Sequence, residues 1–233
     1  MIRPRLCVPF VMALVLAAPL PVLAQQTKPG TQPARPAVRR TPVGFNGFVT
    51  FASMRPSAAD TFRAAGIGSS VGEIGGGAQI TNIWKDLFVQ ASISSWSGSG
   101  ERVFIDDAGN RFPLGIPLDV RLTSVEVTAG WKFALGRRGL AQRVRPYIGA
   151  GVGTAGYTER SSFAESGDDV DERFTSTHVL AGVEVSVHRW IGIGADVRFR
   201  SVPDAFGPDG IAGALREDNL GGTSAGIRVT VGR

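Results

Sequence analysis

Arg145-Pro-Tyr-Ile-Gly-Ala-Gly-Val-Gly-Thr-Ala-Gly-Tyr157 decides how the rest of this chain is read. At period two, Pro146, Ile148, Ala150 and Val152 share one face, and Tyr147, Gly149, Gly151 and Gly153 share the other. Glycine is a poor strand former, so three on one face imply crowded neighbours there. A narrow closed barrel provides that crowding, because its inward side chains compete for little volume. The other face is plain aliphatic, as a surface against lipid should be.

Upstream, Arg3 and Arg5, the apolar run Leu6 to Leu20, and Val22-Leu23-Ala24 before Gln25 have the layout of a secretory signal over residues 1–24. A membrane anchor is the alternative, but Pro9, Pro19, Pro21 and the cleavage pattern argue against it. The single cysteine, Cys7, leaves with the signal, so the mature chain is expected to lack thiol, disulfide and Cys-based metal sites. Residues 25–43, rich in Pro, Gln, Thr and Arg, read as a disordered basic periplasmic arm. About 190 residues remain, 44–233, enough for one all-β domain. No apolar run there reaches membrane-helix length, so a membrane-bound form has to be a closed barrel. The formal net charge of +5 is held largely by the signal and by Lys28, Arg35, Arg39 and Arg40 of the arm. The remainder mixes both signs without a basic, aromatic-interleaved stripe, which argues against nucleic acid as a partner.

Seven more segments alternate like the first. They are about Phe45 to Ser53, Val71 to Asn82, Asp86 to Trp96, Val120 to Leu135, Phe174 to His188, Trp190 to Val202 and Gly221 to Gly232. Their aliphatic faces carry Ile74, Ile93, Val127, Val183, Ile193 and Ile227, among others. Phe48 makes the first the least clean. Connections alternate as well: 82–86, 135–143 and 188–189 are short, while those starting near Met54, Gly98, Thr158 and Ser201 are long. Eight one-sided strands with short turns at one end and long loops at the other predict an all-β, eight-stranded antiparallel up-and-down transmembrane β-barrel, short turns periplasmic. Trp84, Trp131 and Trp190 fall near the short turns, where an aromatic girdle belongs.

The signal, the Pro-rich lead, Arg145-Pro-Tyr-Ile-Gly-Ala-Gly-Val-Gly and the closing Gly226-Ile-Arg-Val-Thr-Val-Gly232 resemble the small outer-membrane β-barrel proteins of Gram-negative bacteria, the OmpA/OmpX-like superfamily. The resemblance covers about Phe45 to Arg233. It implies residence in the cell outer membrane, with outer-membrane lipid, lipopolysaccharide and the barrel-assembly machinery as partners, and a monomer. Such chains commonly end in an aromatic residue that this machinery reads, whereas this one ends Val231-Gly232-Arg233. No peptidoglycan-binding domain follows the barrel, so a cell-wall tether is not implied.

The same alternation points Glu73, Glu126, Glu184 and Asp196 into the lumen with Lys132, Arg198, Arg200 and Arg228. An eight-stranded barrel is just wide enough for its side chains to fill. Charges buried at that density have to pair, which predicts a salt-bridged plug with Arg228 and Arg198 reaching Glu126, Glu184 or Asp196. The same residues could instead line a gated ion path.

Ser176, His178, Glu184 and His188 lie on one inferred inner face and raise a lipid A-modifying enzyme as an alternative. His178 and Glu184, however, are roughly 20 Å apart along a strand, and such sites face the bilayer. No catalytic residue, cofactor or metal is therefore expected. Gly72 to Gly77 lacks the strand-to-helix setting of a phosphate loop. Asp106-Asp107-Ala-Gly-Asn110 and Asp168-Asp169-Val-Asp171-Glu172 read as solvated loop charge and match no EF-hand. The leading expectation is a structural, envelope-integrity or surface-interaction barrel. A narrow small-solute channel, a lipid A-modifying enzyme and a soluble lipocalin-like barrel with inverted faces stay open.

Overall fold

The computed structural model describes residues 43–106, 110–136, 140–161, 170–206 and 210–232. The chain divides into Met1–Arg40 and Thr41–Arg233, and the described residues all belong to the second unit. The expected signal (1–24) and all but the last residue of the arm (25–43) lie outside the described residues. So do Asp107, Asp168 and Asp169 of the acidic clusters.

Eight strands run β1 Gly44–Pro56, β2 Val71–Thr81, β3 Leu87–Ile105, β4 Arg111–Lys132, β5 Val144–Arg160, β6 Val170–His188, β7 Ile191–Ser201 and β8 Gly222–Gly232. Each pairs antiparallel with the next, and β8 returns to β1 to close the barrel. Even the shortest, at 11 residues, is long enough to cross a bilayer at the usual tilt. Among the described residues no helix is long and apolar enough to do so.

The period-two alternation accounts for the layering. Phe51, Ile74, Ile93, Val127, Ile148, Val152, Val179, Phe199 and Ile227 are exposed on the outer wall. Gln79, Phe88, Gln90, Glu126, Thr128, Tyr147, Leu180 and Arg228 are buried inside. The glycine face of β5 is crowded by the backbone of β4 as well as by those inner residues. A Cβ on Gly151 would collide with the Val127 carbonyl and stand 2.7 Å from His178 Cε1, and one on Gly153 would collide with the Val125 carbonyl and stand 2.8 Å from Glu126 Cγ. Strand β5 is kept bare so that larger groups from β4 and β6 occupy the lumen.

The second hairpin differs from expectation. A loop was expected from Gly98, with the next strand starting at Val120. Instead β3 continues to Ile105 and pairs with a β4 that already begins at Arg111. Gly98 and Gly100 are there because the β1–β2 connection packs on them: a Cβ on Gly98 would meet Ile67 Cγ2 at 2.5 Å, and one on Gly100 would collide with the Ala65 carbonyl. Strand β3 leaves β2 after Trp96, and β4 meets β5 only from Asp119, so this extension is a two-stranded hairpin outside the barrel ladder. Pro113 and Pro117 are tolerated on its open edge, and a register shift between Glu101 and Val103 absorbs the mismatch. Strand β4 stops at Lys132 rather than Leu135, though Phe133 N still donates to Pro146 O at 2.9 Å.

The β1–β2 and β7–β8 connections fold back over the barrel mouth instead of extending outward. They carry the short helices α1 (Ala59–Ala64) and α3 (Gly210–Leu215). A third short helix, α2 (Leu140–Arg143), lies in the β4–β5 connection at the other end. Phe62 of α1 packs edge-on against Trp96 at 5.4 Å and belongs to one buried apolar storey with Met54, Leu118, Val120, Leu122, Tyr157, Val202 and Leu220. Helix α1 is short and has no side-chain cap of its own. Glu217 supplies the cap from the β7–β8 connection, accepting from Thr61 N at 2.8 Å, Thr61 Oγ1 at 2.7 Å and Asp60 N at 3.3 Å.

Candidate functional site

Below the apolar storey the lumen is ionic. Strand β2 contributes Glu73, β4 Glu126 and Lys132, β6 Glu184, β7 Asp196, Arg198 and Arg200, and β8 Arg228. Glu126, 1% exposed, lies at its centre. It accepts from Arg198 Nη1 at 2.7 Å on one oxygen and from Arg200 Nε at 2.6 Å on the other. Arg200 reaches on to Glu73 Oε1 at 3.1 Å and Ser94 Oγ at 3.2 Å.

Arg228 stacks 4.2 Å from the Phe48 ring centroid and 5.3 Å from that of Tyr147. Its Nη1 donates to Gln90 Oε1 at 3.1 Å. Its Nε is 3.0 Å from Asp196 Oδ2 but makes no aligned hydrogen bond there, so this is a charge contact. The aligned donor to that carboxylate oxygen is Tyr147 Oη, at 2.8 Å. Nearer the short turns, Lys132 Nζ donates to Glu184 Oε1 at 2.9 Å, and Thr230 Oγ1 donates to Oε2 at 2.9 Å.

All eight ionised residues named from the sequence therefore meet inside the barrel, four carboxylates against four cations. Each charge loses water but gains an opposite charge and directed hydrogen bonds, the condition under which buried ions are tolerated. What sequence reasoning missed is the neutral wiring between them. Thr128 Oγ1 lies 2.8 Å from His178 Nε2, His178 Nδ1 lies 3.7 Å from Glu126 Oε1, and Gln90 Nε2 donates to Thr128 Oγ1 at 3.3 Å. Period two already put Gln90, Thr128 and His178 on the inner face, but gave no sign of which groups they join. The apolar storey was missed too, because its residues come partly from connections read as loops.

The set Ser176, His178, Glu184 and His188 is not brought together. Glu184 is engaged by Lys132 and Thr230, and His178 by Thr128. A register shift between Ser186 and His188 takes His188 out of the pleat, leaving it exposed and edge-on to Trp190 at 5.3 Å. It lies at the rim of the cavity at the short-turn end rather than within the lumen. Thr128, His178 and Glu126 do line up as hydroxyl, imidazole and carboxylate. All three are buried, however, and none lines the cavity at either barrel end.

Asp106 is bound by Asn110, whose backbone N and Nδ2 donate to its two carboxylate oxygens at 2.7 and 2.8 Å. Among the described residues no group of three or more potential ligands is placed to hold a metal ion. Trp84, Trp131 and Trp190 are exposed around the short-turn end, with Lys85 Nζ 4.9 Å over the Trp84 ring.

The chain is similar in structure to Neisserial surface protein A, with 14% identity and a TM-score of 0.48, over 81% of this chain and 96% of that one. It is similar to Ail, the attachment invasion locus protein of Yersinia pestis, with 13% identity and a TM-score of 0.47, over 82% and 99%. A major outer membrane protein from Thermus thermophilus aligns at 8% identity and a TM-score of 0.46, over 81% and 99%. Among curated proteins none matches the chain. The family model of the outer membrane protein beta-barrel domain matches residues 10–231. A closed eight-stranded barrel with an aliphatic outer wall and an ionic interior, matched by that model over nearly its whole length, belongs to the outer membrane protein beta-barrel domain family and resides in the outer membrane.

Proposed function

We propose that this barrel is sealed and acts through its outer face, as a structural or surface-contact protein of the envelope. The observation that carries the reading is the filling of the lumen in two storeys. An ion-paired layer around Glu126 lies beneath an apolar layer built from Phe62, Trp96, Leu122 and Tyr157. An ion crossing it has to break several charge-assisted bonds and then enter a hydrocarbon layer, and neither step is compensated.

The crown above is tied together, which supports a contact role. Glu217 clamps α1, Glu101 N donates to Ala65 O at 2.9 Å, and Phe206 packs edge-on against Phe62 and Tyr157. A surface ordered beforehand loses less conformational entropy when a partner binds. In this reading the eight lumen charges form a permanent plug and Trp84, Trp131 and Trp190 the periplasmic girdle. Outer-membrane lipid and lipopolysaccharide surround a monomer placed by the assembly machinery.

Planar-bilayer recording of the folded protein tests the seal. Baseline current across the usual voltage range is expected. Clear, ion-selective single-channel steps would instead make the lumen a narrow solute channel.

A further inference from the structure

A cavity of about 700 Å³ opens at the periplasmic end of the barrel, with the Lys132–Glu184 pair in its wall. Its charge is lopsided. Among the described residues, Lys132, Arg143, Arg145 and Arg189 line it against one carboxylate, Glu184. Both oxygens of that carboxylate are already engaged, one by Lys132 Nζ and the other by Thr230 Oγ1. Arg145 stands directly across the β5–β6 ladder from Glu184, yet its Nε is buried with no hydrogen-bond partner. Among the described residues, Arg143, Arg145 and Arg189 have no ion-pair partner. The lumen charges above are matched one for one. This vestibule is not.

A buried guanidinium N–H without an acceptor is costly, and cations gathered around one cavity repel each other. An oxyanion relieves both, and the planar guanidinium fork is suited to a carboxylate or phosphate. The volume is that of a pocket for a small organic ligand rather than for a single ion. We propose that the vestibule is a binding site for a small molecule carrying two or more carboxylate or phosphate groups, entering from the periplasm. Arg145 anchors one group, and Arg143 and Arg189 hold the other at the rim. The site does not depend on whether the lumen conducts.

Isothermal titration of the full chain, folded in zwitterionic detergent at about 0.15 M salt, tests this with pyrophosphate and with citrate, using inorganic phosphate as the single-group comparator. Saturable one-to-one binding of pyrophosphate or citrate, tighter than that of phosphate, is expected. The tighter of the two identifies the ligand as phosphorylated or carboxylated. Arg145→Gln and Arg189→Gln are each expected to weaken it by about tenfold, as loss of a charge-assisted contact requires. Arg111→Gln, on the extracellular hairpin, leaves it unchanged. A heat-dependent gel shift checks folding of each variant. If Arg145→Gln fails that check, the exposed Arg189 carries the test. No saturable heat from either probe would overturn the proposal. So would an equal loss in Arg111→Gln, which would mean that net charge alone attracts the anion.

Discussion

At the scale of single residues, Glu126 is where the account is most exposed to test. It is the only described carboxylate partner of Arg198 and one of two for Arg200. Glu126→Gln keeps the shape but leaves one guanidinium buried and uncompensated, a change that typically costs about 3–5 kcal/mol. Glu73→Gln should cost clearly less, because Arg200 keeps Glu126. Urea unfolding from lipid vesicles, followed by tryptophan fluorescence, gives both midpoints, and an equal or larger loss for Glu73→Gln would contradict this hierarchy. The inward face of each of these residues was legible from period two alone. The pairing was not. Glu126 on β4 meets Arg198 and Arg200 on β7 across the lumen, and the stagger of a closed barrel decides that match. His178 and Thr128 were hidden for the same reason: their partners are set by the geometry around the axis.

Among the elements, the barrel strands were readable because lipid outside and crowding inside impose strict alternation. The connections were not, because α1, α3 and the β3–β4 extension answer to each other. Glycines at 98 and 100 and prolines at 113 and 117 look like breakers locally. In the structure they are a docking groove for Ile67 and residues on an unpaired edge. Glu217 is the contact that makes α1 part of the crown. Glu217→Ala removes hydrogen bonds to a charged acceptor worth about 1.5–3 kcal/mol each, so local opening of α1 should rise roughly tenfold or more. Trypsin cleavage after Arg63 in outer-membrane vesicles should accelerate accordingly while the barrel keeps its heat-dependent gel shift. An unchanged cleavage rate would show that the apolar seat of Phe62, not the cap, holds the helix.

For the whole molecule, the two ends of the barrel differ in kind. The end that carries α1 and α3 is packed with hydrocarbon beneath tied connections, and the short-turn end opens into a basic vestibule. Between them lies a balanced set of ions. All of this depends on one orientation, with aliphatic residues toward acyl chains and charges toward the axis. Nitroxide labels at Val127→Cys and Val183→Cys, in a Cys7→Ser background reconstituted into lipid vesicles, test it most directly. High collision rates with dissolved oxygen and low ones with a water-soluble nickel chelate are expected at both sites. Ready access of the chelate, with little from oxygen, would place those faces in water and contradict it.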